Sequence, residues 1–568
     1  MNHDLGSGND DDAVSVAPPI PPTHLAIPDA TVRWSQQLLR EAGLVEMIEL
    51  WRREDQRAPG GRPRAFTVEP VLVAMVLAAR LNQPLQASTL TSILFRQISD
   101  SARAGLDVPG APADTDEVGW HAVYERVRSR LHSILDTVDP STLPKNRRLP
   151  PEEFSERTKD LAEVVVAERF ERLHQFVNTL LATSVSCLDE ETRKRWTGSV
   201  ALDATVVPAW ARPERKGPTG DVVVHSADPD AAWYKREYNG RTERLIWGYE
   251  ASIAVMCADA GAPADFPKLV IGMAPLHRPH VQPGANGISA LRAARALSPA
   301  GFLAADRAYP NEKPENFQLM ARAMGYRPVW DYRIDQLGRA TSYKGAIQVE
   351  GSWYCPMMMP KLIAAELDFR NGMISEEERD RRIESRRAFQ LRPHGLPDSD
   401  GHQRFMCPAA HTAPTARCEL KPASMGRRAA GKVLIPVTAA HANLMPDVCA
   451  QQTLSIPPEI GAKFAQTFPF RSSEWVAQYG TRSTVEGVNG SVKSPTHEAL
   501  EAADRRRIRG VAAQTVFAAF LLFAMNLRRI ERYEDVATIG QGQPRGQRAL
   551  RLRRRSTLES YLDEPEAS

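Results

Sequence analysis

Three acidic residues occupy positions at which a carboxylate is either costly or functional. Asp203 lies inside the apolar segment SVALDATVV, which is predicted to be a buried strand, and a carboxylate buried there costs several kcal/mol unless a partner neutralises it. Asp306 closes a second predicted strand, GFLAAD, and strand ends in such sheets are where ligands collect. Glu486 lies on a predicted helix near the C-terminus. The three carboxylates can converge on one point and would there form a hard-oxygen site for Mg²⁺ or Mn²⁺.

The segment that carries Glu486 also carries an aromatic hydroxyl and two cations. In YGTRSTVEGVNGSVK, Tyr479, Arg482, Glu486 and Lys493 stand at offsets 0, 3, 7 and 14. On a helix with about 100° per residue, these offsets fall within roughly 60° of one another. The spacing therefore predicts one helical stripe that presents a metal-binding carboxylate between an aromatic hydroxyl and two positive charges.

A structural explanation of the same residues is the alternative. Arg482 and Glu486 have the spacing of an i,i+4 ion pair, which stabilises a helix by only a few tenths of a kcal/mol. Asp203 would then be an N-cap or turn residue and Glu486 a surface charge. Gly487 and Gly490 are poor helix formers, so the segment is not optimised for helix stability.

The pattern Tyr-x2-Arg-x3-Glu-x6-Lys over Tyr479–Lys493 resembles the signature of bacterial insertion-sequence transposases of the DDE class, in the subgroup with the YREK motif. Asp203 in a first strand and Asp306 in a strand-end Asp-Arg-x-Tyr are similar to the other two acidic motifs of that family. Ala308 stands where many members have Gly, a departure that leaves the ligand in place. The resemblance covers roughly residues 199–530 and implies a ribonuclease-H-like catalytic domain with a large insertion before the last acidic residue.

The resemblance also implies an activity and its cofactors. Two Mg²⁺ or Mn²⁺ ions would be held by Asp203, Asp306 and Glu486, which would be both the catalytic residues and the metal ligands. The reaction would be metal-dependent cleavage of transposon ends and strand transfer into target DNA. Phosphates of the DNA would be bound by Tyr479, Arg482, Lys493 and Arg307.

The implied partners are the terminal inverted repeats of the transposon and the target DNA, brought together in a synaptic complex by a homodimer. Two other functions remain open. One is a non-catalytic descendant of a transposase that still binds DNA ends, and the other is a ribonuclease-H-like nuclease that acts on another nucleic acid. Intact acidic residues argue against the first alternative, and the helical N-terminal region and the large insertion fit transposition better than the second.

Four cysteines fall within the segment 333–470. Cys355, Cys407, Cys418 and Cys449 are separated by 52, 11 and 31 residues, and two of them are followed by proline. Four cysteines can form a structural zinc site, but none of the spacings is the Cys-x2-Cys of a common zinc knuckle. A zinc site and four reduced thiols are therefore both open. The six cysteines of the whole chain are too few for a disulfide scaffold.

The elements that must position these residues form an α/β protein in several parts. Predicted strands and helices alternate as β-β-β-α-β-α-β from Ser199 to Tyr332, and the first three strands are predicted to form an antiparallel meander. We therefore expect a mixed five-stranded sheet flanked by helices. The predicted parts are a disordered leader (1–28), a helical N-terminal region that could bind DNA ends (29–195), the first part of the ribonuclease-H-like core (196–332), an insertion subdomain (333–470), the rest of the core with the Glu486 helix (471–535) and a basic, disordered tail (536–568).

Composition alone gives little sign of a nucleic-acid partner, because the 568 residues carry a net charge of only +3. The average hides a basic C-terminal segment, in which residues 501–556 hold 13 Arg against 5 acidic residues. Such a segment is expected to add non-specific, salt-sensitive affinity for DNA. The N-terminal sequence lacks the features of a signal peptide, and the longest apolar run, Val516–Met525, is shorter than the roughly 20 residues of a membrane span. We expect a cytoplasmic, nucleoid-associated bacterial protein without a membrane partner.

Overall fold

The computed structural model describes residues 26–55, 67–159, 163–238, 241–262, 265–410, 413–426, 430–438 and 443–540. Most of the predicted leader and the basic run from Arg545 to Arg555 lie outside the described residues.

A six-stranded mixed sheet lies at the centre of the protein. The strands of the first part of the chain are β1 (Val200–Pro208), β2 (Arg215–Lys216), β3 (Val222–Val224), β4 (Ala232–Tyr238), β5 (Arg241–Met256), β6 (Val270–Met273), β7 (Phe302–Ala305) and β8 (Arg327–Trp330). The central sheet has the order β4-β5-β1-β7-β8, with β6 also paired to β5, and β2 and β3 form a separate two-stranded sheet. β1, β4 and β6 pair with β5 in antiparallel fashion, whereas β1–β7 and β7–β8 are parallel.

The predicted α/β class is confirmed, and so is the antiparallel meander of β1, β5 and β6. The predicted number of five strands is wrong, because β4 adds a sixth strand at the sheet edge. Its sequence, AWYKREY, mixes aromatic and charged residues and has no apolar face. This fits a position at the sheet edge, where β4 pairs with β5 and Trp233 is half exposed. A strand of this kind gives a weak signal in the sequence.

The N-terminal region is helical, as predicted. Its helices are α1 (Asp29–Glu41), α2 (Leu44–Glu54), α3 (Glu69–Arg80), α4 (Ala87–Ser92), α5 (Asp100–Gly105), α6 (Glu117–Leu135), α7 (Pro151–Lys159), α8 (Glu163–Ser186) and α9 (Glu190–Lys194). A short π-helical turn, Ile93–Gln97, continues α4. Gly43, with a φ of 68°, separates α1 from α2 because the chain turns there through the left-handed region that glycine tolerates.

The remaining helices are α10 (Pro283–Leu297), α11 (Gln318–Ala323), α12 (Pro360–Ile363), α13 (Ala365–Arg370), α14 (Glu376–Ser385), α15 (Asp447–Ala450), α16 (Ser473–Gly480), α17 (Ser483–Lys493) and α18 (Val511–Gly540). Helices α10, α11 and α16 cover one face of the sheet, and α8, α17 and α18 cover the other. Alternating residues of β1 divide between the two faces: Val200 and Leu202 face α10, whereas Ala201 belongs to the core shared with α17 and α18.

One hydrophobic core joins the N-terminal helices to the sheet. It runs from α1–α6 and α8 through one sheet face to α17 and α18, and helix α3 is buried along nearly its whole length. The N-terminal region and the central sheet therefore share their interior.

The insertion has a core of its own. Its buried apolar cluster extends from Ala346 to Ile456. Two small antiparallel sheets, ordered β11-β10-β9 and β12-β13-β14, frame that cluster. Their strands are β9 (Arg339–Tyr343), β10 (Ala346–Val349), β11 (Ser352–Tyr354), β12 (Arg392–Pro393), β13 (Gln403–Met406) and β14 (Thr453–Ile456).

Among the described residues, one helical segment, Val511–Glu534 of α18, is long and apolar enough to cross a membrane by length and composition. Of its most apolar window, 94% is buried inside the protein, where α18 packs against α3, α8 and β6. The segment therefore has the surroundings of a core helix.

Candidate active site

Asp203 and Asp306 lie side by side on neighbouring parallel strands. In the register of β1 and β7, Leu202 stands opposite Ala305, and each aspartate follows one residue later. Asp306 comes directly after the carboxyl end of β7, whereas Asp203 stays within β1 and pairs with Ile253 of β5. The sheet thus brings together the two aspartates that the sequence analysis singled out.

The surroundings of Asp203 make its carboxylate costly. The pKa of Asp203 is raised to about 6, first by burial and then by the nearby carboxylate of Asp306, while the backbone N–H of Ala204 and the guanidinium of Arg482 act in the opposite direction. Two carboxylates that repel each other in a partly buried site are stabilised by a cation, which lowers their mutual repulsion.

Helix α17 brings the third carboxylate and an amide to the same place. It packs across β1 through Val485 and Val488, which are buried. Asn489, on the same helix, donates a hydrogen bond from Nδ2 to Asp203 Oδ2 at 3.1 Å. Its Oδ1 is buried and accepts no hydrogen bond from the described residues. Asn489 was not among the residues predicted from the sequence, where its only signal is a position three residues after Glu486, next to the predicted stripe.

Arg482 is the cation at the centre of the acidic cluster. Its Nη2 lies 2.7 Å from Glu486 Oε1 and its Nη1 lies 3.9 Å from Asp306 Oδ1. Burial alone would lower the pKa of Arg482, but Tyr479, Asp306, Asp203 and Glu486 together raise it. One guanidinium therefore neutralises part of the charge of all three carboxylates, and Glu486, whose side chain is 58% exposed, reaches the cluster through it.

Tyr479 is held rigidly beside this cation. Its ring stacks on Trp475 with centroids 4.6 Å apart, and the Arg482 guanidinium lies 5.9 Å from the centre of the Tyr479 ring. Trp475 is itself fixed, since its Nε1 donates to Gln466 Oε1 at 2.9 Å. Burial raises the pKa of Tyr479 to about 12, so its hydroxyl remains a hydrogen-bond donor at neutral pH.

The predicted single stripe is carried by two helices. Tyr479 belongs to α16, Glu486 and Lys493 belong to α17, and Arg482 lies between the helices. Thr481 and Arg482 keep right-handed helical angles, but i→i+3 hydrogen bonds replace the α-helical pattern at this junction. The junction preserves the approximate helical phase, so Tyr479, Arg482 and Glu486 still come together.

Lys493 is the member of the signature that lies away from the acidic cluster. It is seven residues after Glu486 on α17, which corresponds to about 10 Å along the axis. Its Nζ pairs with Glu501 Oε1 at 3.3 Å, and Glu501 also pairs with Arg244 at 3.2 Å. Two cations, Lys493 and Arg244 of β5, therefore share one carboxylate near the far end of the helix.

Arg307 is bound to a fourth acidic residue, which the sequence analysis missed. Its Nε donates to Asp331 Oδ2 at 2.8 Å, and Arg370 lies 4.0 Å from the other carboxylate oxygen. Asp331 follows the end of β8 as Asp306 follows the end of β7, and these strands are parallel neighbours. The same strand-end rule that identified Asp306 would have found Asp331 in RPVWDY.

The described part of the chain holds no group of three or more His, Cys, Asp or Glu side chains that could bind a metal ion in the arrangement present. At the acidic cluster, Arg482 contacts both Asp306 and Glu486. The donor set nevertheless suits Mg²⁺ or Mn²⁺: three carboxylates converge, and the buried Asn489 Oδ1 has no hydrogen bond from the described residues. Binding of an ion by Asp203, Asp306 and Glu486 would require a rearrangement of these side chains and of Arg482.

The four insertion cysteines are buried in the insertion core, and all six cysteines of the chain are free thiols.

Comparisons of the chain with protein families, with characterised proteins and with solved structures find no match.

Proposed function

We propose that the protein is a DNA transposase that cuts the ends of a mobile element and joins them to target DNA in a metal-dependent reaction. The observation that carries this proposal is the convergence of Asp203, Asp306 and Glu486 around Arg482. These four residues come from a strand, a strand end, the junction between two helices and a helix, and Asp203 and Glu486 are 283 positions apart in the chain.

The arrangement of the sheet supports a ribonuclease-H-like catalytic domain. The strands β6, β5, β1, β7 and β8 lie in an order in which three antiparallel strands are followed by two parallel ones. One acidic residue lies on β1, the second directly follows the adjacent strand β7, and the third lies on a helix that packs on β1 and β5. This is the arrangement that the resemblance to DDE transposases leads one to expect, with the insertion placed before the helix that carries Glu486.

The residues of the site have separate tasks in the proposed reaction. Asp203, Asp306 and Glu486 would hold the metal ions, whose chemistry would be to activate the attacking water or 3′-hydroxyl and to stabilise the leaving oxygen. Asn489 fixes the orientation of the Asp203 carboxylate through its Nδ2. Arg482, displaced from the carboxylates, is available to a phosphate of the DNA.

The neighbouring aromatic and basic groups bind the DNA backbone. Tyr479 keeps its proton and donates a hydrogen bond to a phosphate oxygen, in a position fixed by its stack on Trp475. Lys493 of α17 and Arg244 of β5 would supply further cations for the phosphates, and so would Arg307, which pairs with Asp331. A homodimer would bring two such sites to the two ends of the element.

Cleavage of the element's own ends tests the proposal. Short inverted repeats in the DNA that flanks the gene supply the sequence of labelled duplexes, which are incubated with the full chain and Mg²⁺ or Mn²⁺. We expect nicking at the repeat ends by the wild type and a loss of at least about a thousandfold in Asp203→Asn, Asp306→Asn and Glu486→Gln. Glu474→Gln is the matched control, because Glu474 is an exposed carboxylate on α16 that pairs with Arg387 outside the site. Equal nicking by wild type and Asp203→Asn would overturn the proposal.

A DNA-end-binding descendant without catalysis is the second candidate. It is favoured by the contacts of Arg482 with Asp306 and Glu486, since a guanidinium at that place can substitute for a metal ion. The two functions differ in one measurement. If duplexes of the repeat ends bind tightly but neither Mg²⁺ nor Mn²⁺ changes the thermal stability of the protein or yields a cut product, the second candidate is the function.

A further inference from the structure

The four cysteines of the insertion approach one another from four separate places in the chain. Cys355 directly follows β11, Cys407 directly follows β13, and Cys449 lies on α15. Cys418 lies in a turn next to the backbone bridge between Arg417 and Leu434. All four side chains belong to one apolar cluster and are at least nine-tenths buried.

Three of these cysteines begin the same kind of turn. The carbonyl oxygens of Cys355, Cys407 and Cys418 accept hydrogen bonds from the N–H groups three residues later, at 3.1, 3.0 and 2.9 Å. In each turn the N–H two residues after the cysteine also points to the sulfur, and these N–H groups belong to Met357, Ala409 and Leu420. A turn that directs backbone N–H groups at sulfur stabilises the thiolate over the thiol.

The four thiols lie close enough within this apolar cluster to influence one another electrostatically. Burial raises the pKa of each thiol, and every pair among the four interacts, so that neighbouring thiols raise the pKa of Cys355, Cys407 and Cys449 further. Lys421, whose Nζ donates to Gln451 O at 2.8 Å, lowers the pKa of Cys407, Cys418 and Cys449. The protonated thiols carry no charge, yet a cation and directed N–H groups, which favour thiolates, lie around them.

We propose that Cys355, Cys407, Cys418 and Cys449 bind one structural Zn²⁺ through their four sulfurs. Four thiolates around a tetrahedral ion form a closed site, to which zinc is best suited among the common divalent metals. The four thiols lose four protons on binding, and the two negative charges that remain on the tetrathiolate site are balanced by Lys421 and the N–H groups of the three turns. The described side chains are not gathered into a metal-binding group, so the sulfurs must move together when the ion binds.

Zinc would tie together the elements of a subdomain that has little regular structure. The ion would link the ends of β11 and β13 to α15 and to the Cys418 turn, which are otherwise joined by short strands of two to four residues. Small domains with small cores commonly gain their stability from such a site. This inference is independent of the proposed catalytic activity.

Metal content tests the proposal directly. The full chain, produced in zinc-supplemented medium and freed of loosely bound metal, is expected to contain one zinc per molecule by elemental mass spectrometry. Each of the four variants Cys355→Ser, Cys407→Ser, Cys418→Ser and Cys449→Ser should bind zinc more than about 100-fold more weakly. Cys187→Ser is the matched control, since Cys187 is a partly buried thiol on the connection after α8 and should keep the zinc.

Two further measurements serve if a variant fails to fold. Cobalt added to the metal-free wild type should give the absorption bands of a tetrahedral Co²⁺–thiolate site, and zinc should remove them. Zinc should also slow alkylation of the four cysteines alone, as judged peptide by peptide, while Cys187 and Cys257 react at an unchanged rate. A protein that contains no zinc, shows no cobalt bands and forms disulfides among the four cysteines would overturn the proposal.

Discussion

Arg482 and Asp203 define the chemistry at the scale of single residues. The guanidinium lies between Asp306 and Glu486, where the proposed metal ions would have to bind, and the buried carboxylate of Asp203 is hard to ionise there. The burial of the Asp203 carboxylate is a cost that a site built only for stability would avoid. It is consistent with a site whose carboxylates are stabilised by what binds to it.

Replacement of Asp203 by Asn should stabilise the protein while it abolishes cleavage. Because the pKa of Asp203 rises to about 6 from its usual 3.8, the folded protein holds this proton more tightly than the unfolded chain does. The stability that this gives is present below about pH 4 and is lost as the pH rises through about 6. At pH 7.5, Asp203→Asn should therefore raise the free energy of unfolding by up to about 3 kcal/mol, and at pH 4 by far less.

Denaturant unfolding of wild type and Asp203→Asn at both pH values measures this difference. Asn retains an oxygen that can accept the hydrogen bond from Asn489, so the substitution removes the charge and little else. A variant that is less stable than the wild type at pH 7.5 would show that the carboxylate is compensated within the protein.

The cleavage rate of the wild type should rise as the pH passes about 6, since metal binding needs the ionised form.

Arg482→Gln should strengthen metal binding and weaken DNA binding. The substitution removes a positive charge that lies within about 4 Å of two ligands, so Mn²⁺ affinity should rise at least about tenfold at low salt. Titration of free Mn²⁺ by electron paramagnetic resonance measures the affinity. Arg244→Gln removes an equal charge that pairs with Glu501 outside the acidic cluster and serves as the control. The same Mn²⁺ affinity in both variants would contradict the assignment of Arg482 as the competing cation.

At the scale of elements, α17 presents an unusually bare surface beside the site. Gly487 and Gly490 are exposed, and a Cβ added at either position would meet nothing within 4 Å. Neither glycine is needed for packing or for a positive φ, although each destabilises the helix by about 1 kcal/mol relative to Ala. We interpret this face as a surface where the sugar-phosphate backbone of DNA comes close to the helix.

Gly487→Ala and Gly490→Ala should separate stability from DNA binding. Each should raise the free energy of unfolding by about 0.5–1 kcal/mol, because alanine loses less conformational entropy in a helix. Each should also weaken binding to duplexes of the repeat ends several-fold in a gel-shift assay, with Mn²⁺ affinity unchanged. Gly105→Ala, at a helical glycine of α5 with equally open surroundings, should leave DNA binding intact. Unchanged DNA affinity in all three variants would exclude the close approach.

The sequence predicts the elements of the site better than their junctions. The strands that hold Asp203 and Asp306 are short apolar runs, and hydrophobic pattern identifies such runs well. Edge strand β4 and the junction at Arg482 escape prediction because both depend on tertiary pairing and on a local change of hydrogen bonds. The proximity of the four insertion cysteines could not be predicted either, because spacings of 52, 11 and 31 residues do not show which turns of the chain lie close together.

At the scale of the whole molecule, the charged residues that bear on DNA binding are spread over several parts of the chain. The acidic cluster is partly neutralised by Arg482, and further cations lie along α17. The strongest basic run lies beyond the described residues, at Arg545, Arg548, Arg551, Arg553, Arg554 and Arg555. We expect this run to add affinity for any DNA sequence.

Replacement of those six arginines by Gln should change the salt dependence of DNA binding. If each contacts one phosphate, the slope of log K against log salt concentration should become less steep by up to about five. Titrations at several salt concentrations, with duplexes of the repeat ends and of unrelated sequence, measure the slope. The loss should be equal for both duplexes, because phosphate contacts do not read sequence. A loss confined to the repeat ends would instead assign the run to end recognition.

The shared core has a consequence for how the protein is made. Helix α3 is almost entirely buried and packs against α18, yet about 430 residues of chain separate the end of one from the start of the other. At ribosomal rates of about 5–20 residues per second, α3 leaves the ribosome on the order of 20–90 s before its partner exists. During that interval an apolar helix must be shielded by other means, so production of this protein should depend on chaperones that hold nascent chains. A message truncated before residue 511 would yield a chain that never closes its interior.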